Sequence, residues 1–234
     1  MKFKIFLFLA LMSCGRTSQS ESGAGDFNKA QIGRITSKCD ENYKTFKKNA
    51  LTAFLVEDYG ASKKVRTTHL NELMQLPSEI RRFLKSKRVK VLISSGSVTG
   101  FSDLSYLSGK IPRGWEDTGY TWDSVPGAGN KTAVYLGHPG LPHSAHSLAL
   151  HEAGHSIDFN ASLSTSYEWR RLYQYWSKFP NWDDAIGNYR MSHIEEFVAS
   201  SLDDYFCSNE TRGQLDDWYP GVSEAIESFI SDLS

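Results

Sequence analysis

The chain lacks an excess of basic charge. Lys and Arg number 26 against 27 Asp and Glu, for a net charge of −1. An even balance of this kind leaves no nucleic-acid footprint. No internal repeat is present, which excludes solenoid and propeller architectures. Only one long apolar run occurs, at the start: Met1-Lys2-Phe3-Lys4 leads into Ile5 to Ser13. It is too short to span a bilayer and reads as a secretory signal over residues 1–13. No other segment could cross a membrane. Residues 15–26 hold no large apolar side chain and read as a flexible tether with an end-to-end distance of about 20 Å. Loss of Lys2 and Lys4 with the signal takes the mature net charge from −1 to near −3.

Cysteine is scarce, with three in the chain: Cys14, Cys39 and Cys207. Leu11-Met12-Ser13-Cys14 resembles a bacterial lipobox, in which the Cys becomes the lipidated first residue. No aspartate follows it, so an outer-membrane or cell-surface destination is expected after export, with secretion as the other outcome. Membrane contact is expected only through that lipid. Cys39 and Cys207 are an even pair in an oxidising compartment, and both a disulfide and two separate buried thiols stay open. Residues 27–234 remain as one domain, expected to be a monomer.

What is present is chemically specific. His151-Glu152-Ala153-Gly154-His155 reads H-E-x-x-H. On a helix the two histidines stack four apart on one face and can reach one metal ion. Glu152 sits about 100° around, able to act as a base without being a ligand. Leu150, Ala153 and Ile157 form an apolar stripe, while His151, His155 and Asp158 gather on another face. A core side and a histidine side are what an internal metal site needs.

A catalytic zinc site needs a third protein ligand. Asp158 and Ala161 stand where a metzincin would have Gly and a third His, so that class is excluded. A Glu on a later helix is the remaining common solution, and residues 192–206 read strongly as helix. Ser192 and Glu195 have capping-box spacing, which gives Glu195 a local task. Glu196 shares a polar face with Ser200 and Asp203, and the small Ala199 and Ser200 favour close approach of another helix. The residues alone favour Glu196 and leave Glu195 open.

The stretch His151 to Asp158, then Asn188-Tyr189, then Glu195-Glu196-Phe197-Val198-Ala199, resembles the catalytic domain of anthrax lethal factor and its relatives, among them the secreted Pro-Pro endopeptidases. Gly154 before the second His and Asp158 three after it match, as does the aromatic-x-Ala after the Glu. The resemblance is good over about residues 145–234, includes the aromatic tail from Pro220 to Ile230, and is only suggestive from about 75 to 140. It implies Glu196 as third ligand and Tyr189, seven residues before it, as a hydroxyl donor to the oxyanion. The family has a second acidic residue four after the ligand Glu; here Ser200 stands there. Asp158, Ser200 or a backbone carbonyl could orient a histidine instead.

The expected function is that of a zinc metalloendopeptidase acting on a protein or peptide. One Zn²⁺ per chain, held by His151, His155 and Glu196, would activate water, with Glu152 as general base. A surface binding lipoprotein with a vestigial or structural metal site is the rival, and the intact Glu152 speaks against it. A metal-dependent hydrolase of another bond is a further rival. The subsites, and hence the substrate, are not legible.

The layout reads as α+β. Helices are predicted over 41–57 and 77–87, strands over 89–94 and 131–137, and a Gly- and Trp-rich stretch over 112–129. Then come the H-E-x-x-H helix, a helix around 164–178, a loop over 180–191, the Glu196 helix and a final helix near 222–232. The 131–137 strand is expected to be an edge that pairs with extended substrate.

Overall fold

The computed structural model describes Cys39 and residues 50–112, 119–138, 143, 145–179 and 187–234. The predicted signal (1–13), Cys14, the tether and the start of the 41–57 helix lie outside the described residues, as does most of the 180–191 loop. The order is α1 (Ala50–Ala53), β1 (Leu55–Tyr59), α2 (Lys63–Leu73), α3 (Ser78–Ser86), β2 (Lys90–Ser94), β3 (Gly127–Gly129), β4 (Ala133–Leu136), α4 (Leu148–Ala161), α5 (Tyr167–Trp176), α6 (Gly187–Arg190), α7 (Ile194–Cys207), α8 (Asn209–Trp218) and α9 (Val222–Asp232). Short 3₁₀ turns at Val98–Gly100, Ser105–Leu107 and Trp122–Ser124 fill the span between β2 and β3. The chain is α+β, with a small sheet first and helices after it. No helix among the described residues is long and apolar enough to cross a membrane.

The sheet runs β1-β2-β4-β3. The pairs β1–β2 and β2–β4 are parallel, while β3 is antiparallel to β4. The period of two along β2 and β4 sorts side chains onto two faces. Val91, Ile93, Val134 and Leu136 face the helices, in one core with Leu148, Ala149, Ala153 and Ile157 of α4. Leu92, Ala133 and Tyr135 face the other way, against Val98, Phe101, Leu104 and Trp122 of the β2–β3 connection.

Three expectations about the layout need correction, and the first is the loop over 180–191, whose residues Gly187–Arg190 form α6. The strand at 131–137 is internal: β2 pairs with one side and β3 with the other. The edge on that side belongs to Gly127-Ala128-Gly129, whose two glycines carry no strand signal, and β1 is the edge on the other side. The 41–57 helix also ends too late. The backbone leaves α1 after Ala53 and runs as β1 from Leu55, because register with β2 (Leu55 opposite Lys90, Tyr59 opposite Ser94) outweighs a continuing helical pattern.

Helix ends are set by local chemistry. Ser62 and Ser147 cap α2 and α4 by accepting from the Val65 and Leu150 N–H groups at 3.2 and 3.1 Å. Ser208 and Thr211 form a reciprocal capping box at α8. The predicted Ser192/Glu195 box does not form. His193 precedes α7 without a side-chain cap, and the Ser192 hydroxyl donates backwards to the Tyr189 carbonyl at 2.7 Å.

Helix α4 is the centre of the molecule. Every residue from Leu148 to Asp158 is buried. Its histidine face is therefore enclosed by protein, as is α7 from Glu196 to Cys207. Three glycines permit this density. A Cβ on Gly154 would lie 2.9 Å from the Ala199 Cα, so α4 and α7 nearly touch by backbone. A Cβ on Gly129 would fall 2.2 Å from the Glu152 carbonyl oxygen and 2.7 Å from the His155 Cβ. A Cβ on Gly127 would lie 2.7 Å from Glu152 Oε1. The edge strand thus rests directly on the H-E-x-x-H helix.

Cys39 and Cys207 form a disulfide across 168 residues, with Cα atoms 4.5 Å apart. It ties the N-terminal region to the end of α7.

Reducing this bond, or replacing Cys39 by Ala, is expected to lower unfolding free energy by about 2–5 kcal/mol. Urea titrations with and without reductant measure it, and coincident midpoints would contradict it. Gly129→Ala is expected to destabilise by about 1–3 kcal/mol or more, since backbone and not a flexible side chain blocks the new methyl. A melting temperature equal to wild type would show that β3 can move off α4.

Candidate metal centre

Helices α4 and α7 run antiparallel: Ser147 meets Asp203, Gly154 meets Ala199, and His155 meets Glu196. This pairing brings together residues 41–56 positions apart in sequence. His151 Nε2 and His155 Nε2 lie 3.3 and 3.4 Å from Glu196 Oε2. The imidazole centroids are 4.8 Å apart and nearly perpendicular. All three side chains are buried, and one ligand atom from each lies within 4.8 Å of the others.

The cluster has the character of a cation site. Among the described residues Glu196 Oε2 makes no well-formed hydrogen bond, although it is buried between two ring nitrogens 3.3 and 3.4 Å away. Such a convergence of lone pairs is costly unless a cation fills it. Two imidazoles and a carboxylate are a donor set that suits Zn²⁺. The charges agree. Burial pulls the His155 ring down, but Glu196, Glu152 and Asp158 outweigh it and raise it to about 9. Burial pushes Glu196 up, but His155 and His151 hold it well below the usual carboxylate range.

Glu152 points elsewhere. Burial raises its carboxyl pKa and Glu196 adds to this, while the two imidazoles oppose. A carboxylate kept from strong partners suits proton transfer. Tyr189, on α6, reaches over the cluster with its ring 5.7 Å from that of His151. Burial, then the charges of Glu196 and Glu152, push its phenol well above the usual range, so it stays a donor.

The structure brings Glu196, and not Glu195, to the histidines. Glu195 is half-buried and faces Asp158 and Tyr173, adding negative potential at both. Asp158 lies beside His155 electrostatically, but its Oδ1 accepts from the Ser164 N–H at 2.7 Å and so closes the turn after α4. Ser200 is buried with its hydroxyl unpartnered among the described residues, and the same holds for Nδ1 of His151 and of His155.

Sequence reasoning missed two parts of the site. One is the glycine strand β3, legible only as a Gly-x-Gly in a Gly-rich stretch. The other is a largely buried polar chain behind the cluster, built from buried Arg190, Asp203, Asp204 and Ser147 and half-buried His146. Its one visible signal was the acidic pair Asp203-Asp204, of which only Asp203 falls on the polar face shared by Glu196 and Ser200. Burial pushes Asp204 up, but Arg190 and His146 prevail and lower it.

Comparison with known proteins accounts for this arrangement. Residues 41–229 match the family model described as anthrax toxin lethal factor, N- and C-terminal domain. A Pro-Pro endopeptidase of Clostridioides difficile (strain 630) is 32% identical over 172 residues, covering 70% of this chain and 74% of the relative. A Pro-Pro endopeptidase of Paenibacillus alvei is 33% identical over 165 residues, covering 68% and 75%. The solved structure of the Paenibacillus alvei Pro-Pro endopeptidase superposes with a TM-score of 0.65 at 29% identity, over 77% of this chain and 97% of that one. The likeness therefore reaches well before residue 75, through the sheet as well as the helices. The chain belongs to the anthrax toxin lethal factor family and is a metalloendopeptidase, a hydrolase of peptide bonds in a protein or peptide substrate.

Proposed function

We propose that the chain is an exported, lipid-anchored zinc endopeptidase that cuts between two prolines. The observation that carries the zinc reading is the convergence of His151, His155 and Glu196 on one buried point, where Glu196 Oε2 makes no well-formed hydrogen bond among the described residues. The bond assignment is supported by the names of the two relatives, each a Pro-Pro endopeptidase.

Zn²⁺ held by those three side chains would acidify a water molecule and polarise the scissile carbonyl. Glu152, with its carboxyl pKa raised by burial, takes a proton from the attacking water and delivers it to the leaving nitrogen. Tyr189 keeps its proton and donates a hydrogen bond to the oxygen that gains charge. Substrate aligns by strand addition on β3, the sheet edge that rests on α4. A Pro-Pro bond offers no N–H at either proline, so the residues outside the pair must supply the strand hydrogen bonds. Cys14 would carry the lipid, and residues 15–26 would give the domain reach from the membrane.

A peptide-library digest is expected to show cleavage between prolines that stops when a chelator is added. Cuts elsewhere would overturn the bond assignment, and cutting in chelator would overturn the metal. Three variants divide the labour. Glu152→Gln should keep zinc and lose about 10²-fold or more in turnover. Glu196→Ala should lose zinc and activity together, while Glu195→Ala should keep both. Zinc stoichiometry read beside peptide cleavage decides between the neighbours, and the reverse pattern would shift the ligand by one residue.

Cys14→Ser should leave unprocessed precursor or release the protein from membranes. Wild type recovered wholly in the soluble fraction would refute the anchor.

A further inference from the structure

Arg190 follows Tyr189 directly and is fully buried. The reaction described above gives it no task. Its guanidinium donates to the Asp204 carboxylate and to Ser201 Oγ at 3.4 Å, and lies 5.0 Å over the Tyr219 ring. The other Asp204 oxygen accepts from His146 Nδ1 at 2.7 Å. Asp203 accepts the backbone N–H groups of His146 and Ser147 at 2.8 and 2.9 Å. The Ser147 hydroxyl donates on to Glu72 of α2 at 3.0 Å. One buried chain of charge and hydrogen bonds thus joins α6, α7, α4 and α2 behind the metal centre.

The cluster of His146, Asp203 and Asp204 has the residue types of a second metal site. Its lone pairs are already taken, however. Asp203 uses both oxygens on backbone N–H groups, and Asp204 uses its two on His146 and Arg190. The guanidinium already supplies the positive charge there.

The importance of this network lies in what it holds. Helix α6 is four residues long, too short to persist by itself. Its place is set by what its side chains bind. Consecutive residues on a helix point about 100° apart, so Tyr189 and Arg190 aim at different targets. Tyr189 reaches the His151 ring, and Arg190 reaches into the core toward Asp204. Asp203, next to that anchor, lies seven residues after Glu196, about two turns along the same helix. The donor hydroxyl and the third ligand are therefore referenced to one element.

We propose that the Arg190–Asp204 pair is the positioning device for Tyr189, holding its phenol over the metal centre in the reactive geometry. The proposal rests on the reading of Tyr189 as oxyanion donor. A group displaced by about 1 Å can cost about 10²-fold in rate, so a clamp outside the reaction can govern turnover.

The test is a double-mutant cycle on the zinc-loaded protein, using whichever library peptide is cut fastest. Tyr189→Phe should lower kcat by about 10²–10³-fold with KM little changed. Asp204→Asn keeps the shape of the side chain and removes the charge. It should lower kcat by about 10–10²-fold, with zinc stoichiometry and KM near wild type. In the Tyr189→Phe background the same change should have almost no further effect on kcat, because the group it positions is gone. Arg190→Lys keeps the charge but loses the fork, and serves if Asp204→Asn does not fold. It should lower kcat by less and should likewise fall silent in the Tyr189→Phe background. Equal fold-losses in the two backgrounds, or loss of zinc in Asp204→Asn, would overturn the proposal and make the pair a general support of α4 and α7. An unchanged kcat in Tyr189→Phe would overturn the oxyanion reading and this inference together.

Discussion

Close packing of α4 on α7 is the constraint on which the rest of the molecule depends. Gly154 lies against the Ala199 backbone, and no larger pair could stand there without parting the helices. At that separation, one turn of each helix suffices to bring His151 and His155 against Glu196. A small further separation would take the carboxylate out of reach of a shared ion. The small residues are thus as much part of the metal centre as the three donors.

This packing forces charge into the interior. Glu152, Asp158, Glu196, Asp203 and Asp204 are all buried, on two neighbouring helices. A buried carboxylate costs several kcal/mol unless it is paired. The molecule distributes partners accordingly. Asp158 takes backbone N–H from the turn after α4, Asp203 takes backbone N–H at the start of α4, and Asp204 takes Arg190. Glu196 is left with the two imidazoles, and the electrostatic partners of Glu152 are those imidazoles and Glu196.

The sheet serves this centre from the other side. Because β3 is glycine at both ends, the sheet edge can rest on the backbone of the H-E-x-x-H helix, against Glu152 and His155. The connection that holds β3 packs on the far face of the sheet around Phe101, Leu104 and Trp122, so its position is set by a second, separate core. A sheet of four short strands does little for stability by itself. Its importance here is in placing one edge.

His151, Glu152 and His155 were legible because their chemistry is written in local spacing: four residues make about one helical turn, whatever the rest of the chain does. The α3, α4, α7 and α9 helices and the β2 and β4 strands were legible for the same reason, through periodicity and end signals. Glu196 was half legible. Its helix was clear, and the residues favoured it over Glu195 before the family register added weight, but the capping argument for Glu195 failed because Ser192 turned back to Tyr189. The edge strand, the β1 segment and the Arg190–Asp204 pair were not legible, and the Cys39–Cys207 bond was legible only as one of two open alternatives. The pair joins residues 14 apart and the disulfide residues 168 apart, and β1 finds its register only against β2. Local sequence sets which way a side chain points on its own element. Which element lies opposite it, and at what distance, is a property of the packed chain, and at this site that distance is set by glycines that carry no chemical signal.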